Sequence, residues 1–116
     1  MGSFSTVGGV TKQPDVITVC ASNAKSATTV SASASVTLPQ KFKVTSVVRN
    51  GCAYGDMNTS YPFSATITPT YVIDDVSNPT LPVIASSSLG VSGSYSTANA
   101  ADKIVVCVAH FIGEWV

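Results

Sequence analysis

The chain has 116 residues, the length of one domain of about 100–150 residues, with no room for separate cofactor and substrate domains. Six basic and six acidic residues make it 10% charged, against about 25% in an ordinary domain, and the formal net charge is zero. Basic residues so few and so scattered exclude the phosphate-neutralising surface of a nucleic-acid binder.

The missing charge has gone to hydroxyl and β-branched residues. The sequence holds 17 Ser, 13 Thr and 17 Val against 3 Leu and 1 Glu, which removes good helix formers and keeps strand formers. An all-β chain is expected. Low charge at a mean hydropathy of +0.34 leaves little electrostatic protection against association, so partner subunits are expected to cover much of the surface.

Residues 1–14 carry three Gly, one Pro and no acidic residue, and read as an extended arm that needs a neighbour to hold it. Residues 1–15 lack the basic start and apolar stretch of a signal peptide, so synthesis and folding in the cytosol are expected. The longest apolar run, residues 104–109, is far short of the roughly 20 residues of a spanning helix, and no membrane association is expected.

Residues 15–21 (DVITVCA) form the first expected strand, closed by a Ser22-Asn23 turn signal. Residues 29–38 alternate, placing Val30, Ala32, Ala34 and Val36 on one face and hydroxyls on the other. After Pro39, residues 41–49 resume the pattern, with Phe42, Val44 and Val48 expected inward and Lys43, Thr45 and Arg49 outward. Asn50-Gly51 is the strongest turn signal, and residues 50–61 read as a long loop bearing Tyr54 and Tyr61.

Residues 63–73 give the longest alternation, with Phe63, Ala65, Ile67, Pro69, Tyr71 and Ile73 on one face and an edge or bend at Pro69. Asp74-Asp75 and Asn78-Pro79 mark the next turn, followed by a short strand at residues 81–85 and weaker strands in 86–96. Residues 97–102 (TANAAD) suggest one helical turn. Residues 103–112 are apolar on both faces, the pattern of a central strand covered on both sides. These elements predict a single-domain β-sandwich, jelly-roll-like, over residues 15–116 behind the arm of residues 1–14.

Chemistry-bearing residues are sparse. His110 is the only histidine; to act as a base it needs Cys52 and Asp56 folded over it, which no spacing requires. Three cysteines in apolar or turn-like settings read as reduced thiols, with a Cys20–Cys107 bridge as the alternative, and zinc-ligand spacing is absent. No catalytic, cofactor or metal site is expected, and the chain reads as a non-enzyme.

The stretch SASVTLPQKFKVTSVVRNG (residues 33–51) runs as strand, Leu-Pro break, second strand and polar turn. With the size, the low charge and the C-terminal Trp115, it resembles small bacteriophage virion structural proteins, capsid decoration (cement) proteins in particular. That resemblance implies a homo-oligomer, with a trimer favoured, that binds major capsid protein or other virion subunits and stabilises an assembled head. Phe4, Phe111 and Trp115 are the subunit-interface candidates, by position and residue type. The alternative is a small carbohydrate-binding or adhesin-type module contacting its ligand through Tyr54 and Tyr61.

Overall fold

In the computed structural model, which describes residues 5–7, 10–54 and 65–116, β-branched residues alternating with Ser, Thr and Ala form strands almost throughout. The strands are β1 (Ser5–Val7), β2 (Val10–Lys12), β3 (Pro14–Thr37), β4 (Phe42–Tyr54), β5 (Ala65–Ile67), β6 (Thr70–Ile73), β7 (Val76–Ser77), β8 (Val83–Ala85) and β9 (Ser88–Trp115). No helix occurs among the described residues, so the helical turn expected at residues 97–102 is corrected to strand. In the segment expected as an arm, β1 and β2 pair antiparallel with each other, from Ser5 opposite Lys12 to Val7 opposite Val10.

Two long strands organise the rest. β3 pairs antiparallel with β9 from Pro14 opposite Glu114 to Thr37 opposite Ser88. β4 flanks the C-terminal half of β9, with Phe42 opposite Trp115 and Tyr54 opposite Ile104, while β6 flanks its N-terminal half. β5 and β8 line the far edge of β4, and β7 that of β6.

Chain geometry forces this sheet to curl. A straight strand as long as β9 spans about 90 Å, yet the short link from Thr37 to Phe42 joins its two ends and reaches at most about 18 Å. Leu38 N–H donates to Ser87 at 2.8 Å and Val116 N–H to Lys41 at 3.0 Å, pinning both ends to that link. The β3–β9 ribbon therefore doubles over where its register breaks, between Ala27 opposite Ala101 and Thr29 opposite Ser96. Asn23 Nδ2 donates to the Ser31 carbonyl at 2.8 Å across this bend.

The break also changes which residues face inward. In β3 the buried positions are Val19 and Ala21 before it, and Val30 and Ala32 after it. One alternation thus becomes two of opposite parity. The core lies inside the curl, where Val105, Cys107, Ala109 and Phe111 of β9 meet Leu89 and Val91 of its own first half. A Cβ on Gly93 would collide with Cys107 Sγ, so the absent side chain lets the halves of β9 close on each other. The radius of gyration is 17.1 Å, against about 13 Å for a compact domain of this length.

Other expectations are corrected in β4. A bulge between Val44 and Ser46 flips its alternation, turning Val47 toward the core and leaving Val48 44% exposed rather than inward. Arg49 stays exposed, as expected, but the same flip lets its guanidinium lie along the sheet: Nη1 donates to the Pro69 carbonyl at 3.0 Å, and the guanidinium lies 5.4 Å from the Tyr71 ring centroid. Asn50-Gly51 makes no turn, because β5 needs Gly51 there; a Cβ would strike the Ile67 carbonyl. Asp74-Asp75, by contrast, does close the β6–β7 hairpin, at φ 50° and 68°.

Candidate functional site

From Ile104 to Phe111 only His110 interrupts the apolar run of β9, but its two faces meet different surroundings. Val105, Cys107, Ala109 and Phe111 are fully buried. On the opposite face Val106, Val108 and His110 are half-buried and Ile112 is 36% exposed, flanked by strands and with no layer of described residues packed over them. The rungs of this outer face read Val16–Ile112–Ser46, Thr18–His110–Val48, Cys20–Val108–Asn50 and Ser22–Val106–Cys52. Val16 is 52% exposed.

This face is about 10 Å across its three strand axes and about 20 Å along them, and its four rungs hold no Lys, Arg, Asp or Glu. Charge returns at one end, where Lys43 stands opposite Glu114. The valines of this face and its Ile112 are interleaved with Ser22, Thr18, Ser46, Asn50 and His110, so the face is uncharged and mixed, a candidate surface for association by its lack of charge and not by its apolar area. His110 is tied down here, its Nδ1 lying 2.9 Å from Thr18 Oγ1. Cys52 sits beside Val106, four residues along β9 from His110 and so about 13 Å away, and the two do not meet as base and nucleophile.

The predicted interface aromatics are dispersed. Phe111 is fully buried within its own chain, its ring edge-on to Tyr71 at 6.3 Å. Trp115 is half-buried on the chain's own Phe42, ring centroids 4.8 Å apart, and donates its indole N–H to Asp15 at 3.0 Å. Tyr54 ends β4, where its backbone pairs with Ile104, while Phe4 and Tyr61 lie outside the described residues. Cys20 is exposed, Cys52 half-buried and Cys107 buried, and all three cysteines are free thiols. Burial pushes the Cys107 thiol above its ordinary pKa.

Two polar devices were not apparent in the sequence. The Asp74 carboxylate accepts backbone N–H bonds from Ser86, Ser87 and Ser88 at 2.7, 2.7 and 3.1 Å, and both hydroxyls of Ser86 and Ser87. Partial burial acts to raise its pKa, but the hydrogen bonds outweigh it and hold the carboxyl well below the usual range. Lys103, 1% exposed, donates from Nζ to the Ala27 carbonyl at 2.7 Å where the ribbon bends. Both are structural clamps, legible in the sequence only as an acidic turn and a lone Lys ahead of an apolar run.

An open groove of about 450 Å³ runs between the second half of β3, β9 and residues 67–70, lined by Ser31, Ser33, Thr68, Thr70, Ser92 and Ser94 among others, with no aromatic side chain among the described residues. Among the described residues no three His, Cys, Asp or Glu side chains gather as metal ligands, and no helix is long and apolar enough to cross a membrane. No protein family, curated protein or solved structure matches the chain.

Proposed function

We propose that the chain is a virion structural subunit, a decoration or cement protein that binds an assembled phage head and stabilises it. The observation that carries this reading is the outer face of β9, where Val106, Val108 and Ile112 flank His110 without charge and without a covering layer among the described residues, between Val16 and Val48. Its lack of charged side chains suits a permanent contact, since burying a charge on assembly demands a partner for it. In this reading the doubled ribbon is a jelly-roll-like sandwich, residues 1–14 are the arm that reaches a neighbour, and the partners are major capsid protein or further copies of the chain.

The test uses particles from the virus that encodes the chain, separated on a density gradient and probed with antibody to the purified protein. Co-migration with heads, and its loss on Ile112→Glu with the circular dichroism spectrum unchanged, is the expected result. Recovery of the wild-type chain only at the top of the gradient overturns the reading.

A further inference from the structure

The open edge of β3 carries an inference beyond the outer face. Among the described residues β3 pairs only with β9, so its other side is a row of backbone donors and acceptors. The Gln13 carbonyl accepts from Trp115 N–H at 3.0 Å, so odd residues of this part of β3 turn their backbone groups toward β9 and even ones turn away.

Two outward N–H groups are capped by the strand's own side chains: Val16 N–H donates to Asp15 Oδ1 at 2.8 Å, and Ala24 N–H to Asn23 Oδ1 at 2.9 Å. Between them the outward groups belong to Thr18, Cys20 and Ser22, all exposed. The window is closed at both ends and centred on Cys20, four residues from each cap.

We propose that this window pairs with the same window of a second copy, antiparallel about a twofold axis at Cys20. Thr18 then faces the second copy's Ser22, Cys20 faces Cys20, and the capped Val16 and Ala24 face each other where the ladder stops. Three hydrogen-bonded pairs exchange about six backbone bonds. One residue further out, Asp15 faces the second copy's Lys25 at both ends, an opposite-charge cross-strand pair made twice. Both residues are exposed, and Asp15 is already oriented by its bonds to Val16 N–H and Trp115.

A second copy is the occupant that fits, because caps and charges are arranged symmetrically about one residue and an isologous contact requires that. The two sheets join into one, and the outer faces of both copies become continuous. This deepens the assembly reading, and rests on it for the use of the pair in a shell, but the twofold departs from the trimer that the resemblance implies.

The experiment follows native mass of the purified full chain to about 1 mM, with a thiol-to-thiol crosslinker of about 8 Å span. A two-chain species is expected, crosslinked in the wild type and not in Cys20→Ser. Ser22→Pro removes an outward N–H that the monomer does not use, and Lys25→Glu sets like charges opposite each other; each should weaken the pair at least tenfold with an unchanged circular dichroism spectrum. A strict monomer, a trimer, or a dimer indifferent to both variants overturns the proposal. Head binding in the gradient assay is read separately, so a monomer that still decorates heads fails the pair and not the function.

Discussion

Asp15 and Trp115, at opposite ends of the described sheet in sequence, are joined by an indole N–H bond of 3.0 Å, which fastens the start of β3 to the end of β9. The indole also packs edge-on to Phe42, so it ties β4 into the same corner. Trp115→Phe should keep the ring contact and lose the bond, lowering unfolding free energy by about 1 kcal/mol. Trp115→Ala loses both and should cost about 3 kcal/mol. Urea unfolding followed by circular dichroism distinguishes them; equal losses would mean that the bond adds nothing to the packing.

Asp74 predicts the acid limb of stability. Its folded carboxyl is held below the ordinary value of 3.8, so its contribution is fully present above about pH 4 and is lost as pH falls through the folded value. In urea titrations from pH 7 to pH 2, the wild type should lose stability below pH 4 more steeply than Asp74→Asn. At pH 7, Asp74→Ala should cost about 2 kcal/mol, because the backbone N–H groups of Ser86, Ser87 and Ser88 lose their acceptor. Parallel pH curves for wild type and Asp74→Asn would remove Asp74 from this role.

These two contacts also mark where sequence reasoning stops. Alternation exposed the strands and most of the core, since Val30, Ala32, Phe42, Val44, Val105 and Phe111 are buried as their patterns require. It could not reveal that β3 and β9 are each one long strand, because the bend at Thr28 is a register break made with the partner strand rather than by a local Gly or Pro. A bulge has the same effect in β4, where Val47 takes the core side in place of Val48 although every residue there suits a strand. Asn50-Gly51 misled for the opposite reason: its small residue serves the close approach of Ile67 rather than a positive φ. The outer face was legible as composition, in a run apolar on both sides, but its flanking Val16 and Val48 needed the register.

Gly93 and Cys107 should show coupled energetics, because they meet where the first half of β9 closes on the second. Gly93→Ala places a methyl against Cys107 Sγ and should cost about 2 kcal/mol through overpacking. Cys107→Ala removes the sulfur and opens space at a fully buried position, at a cost of its own. In the double variant the new methyl occupies that space, so the combined loss should fall short of the sum by at least about 1 kcal/mol. Simple additivity would place the two residues out of contact.

Thiol reactivity provides an independent check on the faces of β3 and β9. Cys20 and Cys107 lie on adjacent strands, at neighbouring rungs, but point to opposite sides of the sheet, one exposed and the other buried. Burial of Cys107 both shields it and disfavours the thiolate that reacts, raising its pKa. In the folded chain an aromatic disulfide reagent should therefore label Cys20 rapidly and Cys107 only at the rate of unfolding, with urea abolishing the difference. Matched rates in the folded state would place both thiols on one accessible face and undo the parity on which the curled sheet depends; a wide separation also establishes Cys20 as the free handle for crosslinking two copies.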